Sequence, residues 1–155
     1  MKRALMTIAA VLFANPVLAQ ASTPIEGVWK MVEWVEGGRT IAVQPSLFIF
    51  TKSHYSMLFL QTGQPRPPVP APQNRQNLTD AEKLARFEHW RPFSAASGTY
   101  EVSGTTATLR PIIAKDRWAM SEQAVQSLPF QLEGDTLRVY FAPAIGIRVK
   151  LVRVE

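Results

Sequence analysis

The chain has no cysteine, which excludes disulfide staples, thiolate nucleophiles and cysteine-bound metal. Histidine occurs only at His54 and His89, far apart and without H-x-E or D-x-D spacing, so no metal centre is predicted. Glycine is sparse, 8 in 155 residues, and nowhere forms a glycine-rich phosphate loop. The G-x-S-x-G pattern is absent, and nothing sets a serine on a strand-to-helix elbow, so a Ser-His-Asp hydrolase lacks its nucleophile. No catalytic residue and no cofactor is called for. Charge is low and scattered. The net charge is +5, with no basic cluster that would offer nucleic acid a surface.

What is present starts with an amino-terminal targeting pattern. Lys2 and Arg3 form a basic region, an apolar stretch runs from Leu5 to Phe13, and Asn15-Pro16 interrupts it. Small residues at Ala19 and Ala21 suit a signal peptidase. The apolar stretch is too short to span a bilayer comfortably. Residues 1–21 are therefore expected to be a cleaved Sec-type signal, cut after Ala19 or Ala21, with no stable membrane insertion afterwards. With no cysteine, a lipoprotein anchor is excluded. The expected location is periplasmic or secreted. Residues 22–155 form one domain, large enough to bury a core. Removing Lys2 and Arg3 leaves a charge of +3 (17 − 2 basic against 12 acidic). Nothing in the sequence fixes an oligomeric state.

The mature segment reads as short strands. Alternating or doubly apolar runs fall at 28–35, 46–51, 54–61, 98–102, 105–114, 128–132, 137–141 and 145–151. Gly37-Gly38, Lys52-Ser53, Ser103-Gly104 and Glu133-Gly134-Asp135 mark turns. Pro111 marks an edge or a bulge. The central runs are apolar on both faces, so their outside should be covered. Five prolines, at 65, 67, 68, 70 and 72, make residues 62–77 an extended loop that cannot lie in a sheet. One helix follows near 79–91. Thr79-Asp80-Ala81-Glu82 is a capping box, which also accounts for Thr79 within the Asn77-Leu78-Thr79 sequon. Pro92 ends the helix. Ala81, Leu84, Phe87 and Trp90 form an apolar stripe expected to dock on the strands or close a barrel mouth.

The first and last runs point to closure. Gly27-Val28-Trp29 opens the strand series and Leu151-Val152-Arg153 ends it. Arg153 shares the parity of Val149 and Leu151, so it faces inward and needs an aromatic plane or an acid. Trp29 is the predicted plane, in a cation–π contact of roughly 0.5–2 kcal/mol. The predicted class is all-β: a single antiparallel barrel of about 8–10 strands with one helix.

These residues resemble a known pattern. Gly27-Val28-Trp29 is similar to the G-x-W opening of the lipocalin superfamily, whose closing arginine packs over that tryptophan. A broader resemblance is to bacterial lipocalin-like domain proteins of largely unassigned function. It runs through His54-Tyr55-Ser56-Met57, Pro65-Arg66-Pro67, the Thr79-Asp80-Ala81-Glu82 helix, Pro92-Phe93 and Ala95-Ala96. It continues through Gly98-Thr99-Tyr100-Glu101-Val102, Pro111-Ile112-Ile113-Ala114-Lys115 and residues 130–137. The sequence departs from that pattern at Asp116-Arg117-Trp118. The resemblance implies a lipocalin-like calyx, and no particular reaction.

A calyx directs attention to its lining. Trp29, Phe50, Phe59, Tyr100 and Phe130, with Phe48, are the candidate apolar wall, and a close-packed core is their alternative use. His54, Tyr55 and Arg66 are the candidate polar group, with Arg66 able to fix a ligand carboxylate. Alternatively His54 is a turn residue and Arg66 pairs with a surface acid such as Glu82. Glu33 shares the parity of Trp29 and Met31. If it faces inward it needs Arg66, Arg110 or Lys115 as partner, and a bulge would instead turn it outward. Lys115-Asp116-Arg117 reads as a solvated turn. The expected partner is a small apolar or amphipathic molecule, bound without catalysis. A barrel enzyme using Tyr55 and His54 as acid and base, or a packed envelope module that uses its proline-rich loop, are the competing readings.

Overall fold

The computed structural model describes residues 23–66, 68–72, 74–121, 124–142, 144 and 146–155. The predicted signal segment, Pro67 of the proline-rich loop and Ile145 lie outside them. The strands are β1 (Gly27–Glu36), β2 (Arg39–Ile41), β3 (Leu47–Phe50), β4 (His54–Leu60), β5 (Phe93–Ser103), β6 (Thr106–Ala114), β7 (Gln126–Glu133), β8 (Thr136–Ala142) and β9 (Ile147–Arg153). Helix α1 (Asp80–Trp90) interrupts them between β4 and β5.

Every pairing is antiparallel, and the order β1-β3-β4-β5-β6-β7-β8-β9 returns to β1. The result is an eight-stranded closed antiparallel barrel with β2 as an extra strand. Closure is made by six register pairs between β1 and β9, from Trp29↔Arg153 to Val35↔Arg148. No edge is left on the ring, which removes the exposed donors and acceptors of an open sheet. The short strand β2 was not predicted. It pairs with the far end of β1 through the Gly37-Gly38 turn, on the same side of β1 as β3. Residues 42–46 loop out between the two.

Three tight turns, 51–53, 104–105 and 134–135, lie at one end of the barrel, and the Gly37-Gly38 turn lies at the other. The long connections, 61–92 and 115–125, also lie at that other end, which is the mouth. β5 starts at Phe93, five residues before the predicted Gly98. The segment Phe93-Ser94-Ala95-Ala96-Ser97 has little alternation to read, and its strand form comes from pairing with β4 from Leu60↔Phe93 to Ser56↔Ser97. Pro111 sits opposite Gly98, next to the register shift at Ser97/Gly98. A Cβ on Gly98 would lie 2.1 Å from the Arg110 carbonyl oxygen, so the bulge requires glycine there.

Helix α1 has its predicted cap. The Glu82 amide donates to Thr79 Oγ1 at 3.2 Å, and the Thr79 amide donates to Glu82 Oε2 at 2.8 Å. Its docking differs from expectation. Leu84 and Phe87 are each 61% exposed and Trp90 54%, and the helix buries no residue. Its tether is Lys115, whose Nζ donates to the carbonyls of Trp90, Arg91 and Phe93 at 2.6–2.8 Å. A cation there suits the negative end of the helix. The outer face of the central strands is covered in part: Leu60 is buried, while Leu47 and Leu58 stay more than a third exposed.

Candidate functional site

The barrel interior divides into a packed lower half and a hollow upper half. At the turn end, Arg153 lies 4.2 Å from the centre of the Trp29 ring, as the alternation predicts. Its Nε donates to Asp135 Oδ1 at 3.2 Å, and its Nη1 donates to the Glu26 carbonyl. Trp29 Nε1 donates to the Ile25 carbonyl at 2.9 Å. Gly27 has φ +139°, and a Cβ there would lie 2.2 Å from Arg153 Nη1. The G-x-W glycine is thus the space the guanidinium occupies as it crosses the tryptophan. Tyr100 is held by Thr23 and by the Thr51 carbonyl. These groups seal the base of the barrel.

Trp29 and Tyr100 of the seal are continuous with Phe48, Phe50, Tyr55, Leu109, Leu128, Phe130 and Leu151 in one core, which extends upward to Met31, Trp34, Met57 and Val149. Phe50 meets Tyr100 edge to face with ring centres 5.3 Å apart. Of the candidate wall, Trp29, Phe50, Tyr100 and Phe130 therefore serve as this floor, together with Tyr55. Burial raises the Tyr55 phenol above its ordinary pKa, and burial does the same for Tyr100.

The upper half holds a cavity of about 460 Å³. Met31, Trp34, Met57, Phe59, Phe141 and Val149 form its apolar wall, and Ala96 and Ala114 leave it room. Phe48, Phe59 and Phe141 form a cluster at its base, with centres 5.7–6.4 Å apart. The polar lining is Glu36, Gln61, Ser94, Asp116 and Gln126. Ser94 Oγ donates to Asp116 Oδ2 at 3.3 Å. Trp34 is 7% exposed, and its indole N–H is buried without an acceptor among the described residues. The volume falls within the range that small-molecule pockets span, and the lining is mainly apolar with a few polar groups.

The predicted residues separate accordingly. Phe59 lines this cavity. His54 and Tyr55 begin β4, whereas Arg66 follows its far end, so the structure does not bring them together. Neighbours on a strand point to opposite faces. Tyr55 is buried inside, while His54 is exposed in the turn with its Nδ1 3.0 Å from Ser53 Oγ. The acid–base pair of the enzyme reading does not converge. Arg66 stacks outside the barrel, 5.5 Å from the Trp90 ring centre and 5.8 Å from that of Phe93. It borders an outer groove with Leu47, Leu58 and Leu60. Glu33 is exposed and opposite Lys150, because the register shifts between Met31 and Glu33. Its suggested partners are engaged elsewhere: Arg110 pairs with Glu101 at 3.2 Å, and Lys115 holds the helix end.

The same bulge accounts for what sequence reading missed. It resets the parity of β1, so Trp34 and Glu36 face the cavity in place of Glu33. The available signal was the aromatic ring of Trp34 beside a carboxylate, since the ring gains more from burial. Asp116, read as part of a solvated turn, lines the cavity, and no pattern around it announced this.

No protein-family model matches the chain, and no curated protein matches it. Two solved structures are similar in shape. One is a lipocalin-like protein from Bacteroides uniformis ATCC 8492, 12% identical, covering 83% of this chain and 96% of that one, with a TM-score of 0.48. The other is an uncharacterized protein from Bacteroides eggerthii DSM 20697, 9% identical, covering 83% and 98%, also with a TM-score of 0.48.

Proposed function

We propose that this lipocalin-like barrel is an exported, non-catalytic binder of a small apolar or amphipathic molecule, held in the upper half of its interior. One observation carries the reading: a cavity of about 460 Å³, walled by Met31, Trp34, Met57, Phe59 and Phe141, above a sealed floor. A void of that size in an otherwise close-packed interior forfeits packing energy unless something fills it. The hollow argues against a solid interaction module. The divergence of Tyr55 and His54 argues against the enzyme. Export rests on the Lys2-Arg3 start and the apolar stretch after it, and the mass of the protein recovered from the periplasm tests it.

Titration with Nile red, an uncharged apolar dye, tests the binding. Saturable one-site binding with a blue-shifted emission is the expected result. Ala96→Phe, which fills the cavity, should weaken it about tenfold or more, as judged by the apolar contact displaced. Circular dichroism of the variant verifies that it is folded. A wild-type chain that gives no saturable signal, or a folded Ala96→Phe protein that binds as well as wild type, would refute the proposal.

A further inference from the structure

The outer surface of the barrel differs from end to end. Among the described residues, eight large apolar side chains are at least half exposed. Seven of them belong to the mouth end: Leu84, Phe87 and Trp90 on α1, Ile112 and Ile113 at the close of β6, and Met120 and Val125 in the connection that follows. The turn end has Val154 alone. Contacts draw the mouth set into one rim. Lys115 Nζ donates to the Trp90 carbonyl at 2.7 Å, which brings the end of the helix against the end of β6. The Ala114 amide donates to Met120 Sδ at 2.9 Å, which folds the next turn back onto the same strand end. Ile112 and Ile113 immediately precede those two residues. Single exposed apolar residues are ordinary, but their concentration at one end marks an interaction surface.

Charge follows the same axis. The mouth connections 61–92 and 115–125 hold seven basic and five acidic residues, a balance of +2 (7 − 5). At the opposite pole, residues 23–27, 51–53, 103–105, 133–136 and 153–155 hold two basic and four acidic residues, a balance of −2 (2 − 4). The acids of α1 are already engaged: Asp80 pairs with Lys83 at 2.8 Å, Glu88 with Arg91 at 2.9 Å, and Glu82 serves the cap. Arg75 and Arg86, in the groove beside Trp90, are in no ion pair among the described residues. A second copy of the chain seated mouth to mouth would bring like charges together. A surface of anionic lipid complements them, and leucine, phenylalanine and tryptophan flanked by basic residues suit the head-group boundary.

We propose that the mouth end of the barrel docks on the surface of an anionic lipid bilayer, with Leu84, Phe87 and Ile113 entering the head-group boundary and the positive excess of this end facing the lipid phosphates. The contact is peripheral: among the described residues, no helix is long and apolar enough to cross a membrane. Docking of this kind turns the cavity entrance toward the bilayer. It does not require a hollow barrel, so it and the cavity reading can fail separately.

Flotation with vesicles of equal parts phosphatidylcholine and phosphatidylglycerol, against vesicles of phosphatidylcholine alone, tests it. The protein is produced without residues 1–21, so that their apolar stretch does not contribute. Binding to the mixed vesicles is expected to be about tenfold or more tighter, and to weaken as salt is raised. The combined substitutions Leu84→Ser, Phe87→Ser and Ile113→Ser are expected to weaken it about tenfold or more. Val154→Ser, at the opposite pole, is expected to leave it unchanged. All four positions are exposed, and circular dichroism verifies that the variants are folded. No binding to the mixed vesicles, equal binding to both kinds, or binding that survives the triple substitution overturns the inference. Dimerisation in vesicle-free buffer that the triple substitution removes, without lipid binding, assigns the face to a second copy and likewise overturns it.

Discussion

Arg153 shows how much one side chain can organise. It touches Trp29 through its plane, the Glu26 carbonyl through Nη1 and Asp135 through Nε, and so joins the first strand, the last strand and a turn. Arg153→Ala should lower stability by about 1–3 kcal/mol, the sum of a cation–π contact and charged hydrogen bonds at a partly exposed site. Denaturant midpoints measure this. Arg153→Lys should recover little of the loss, because an ammonium cannot lie flat on the indole while donating in both directions. Buried phenols give a second prediction at this scale. Tyr55 and Tyr100 are held above 10.0 chiefly by burial, so the folded chain keeps protons that the unfolded chain loses near that pH. Their contribution to stability is complete below pH 10.0 and is lost as pH rises through the folded-state values. Denaturant midpoints taken against pH should be flat through neutrality and fall in alkali, and less steeply in Tyr55→Phe.

At the scale of elements, α1 is the least integrated part. Its capping box and terminating proline were legible because they act within a few residues of chain. Its apolar stripe misled, because periodicity reports a face and not what covers it. With Leu84, Phe87 and Trp90 all more than half exposed, Phe87→Ser should change global stability by no more than about 0.5 kcal/mol. Thermal unfolding tests this, and a drop typical of a core aromatic would mean that the helix packs more deeply. Strand β1 shows the opposite limit. Its inward residues Trp29 and Met31 follow simple alternation, and one bulge then exchanges Glu33 for Trp34. A bulge is decided by pairing with β9, and no residue type in Met31-Val32-Glu33 announces it. The lower barrel was therefore readable from parity, and the upper cavity was not. Arg66 was misplaced for a related reason: closeness to β4 in sequence did not say at which end of a seven-residue strand it would lie.

For the whole molecule, the division of labour is vertical. Trp29, Phe50, Tyr100 and Phe130 fill the turn end, while the mouth end combines the small residues Ala96 and Ala114 with long connections. Under the proposed function, stability and recognition fall to different halves, so substitutions that retune the cavity need not cost the fold. The ring has a further property. Val28 N–H donates to the Glu155 carbonyl at 2.9 Å, and Val154 N–H donates to the Val28 carbonyl at 2.8 Å, so the two ends of the described chain lie side by side. A circle has no privileged starting point. A short peptide linking Glu155 to Thr23, with new termini cut between Gln76 and Asn77, would give a circularly permuted chain that traces the same barrel in a different order.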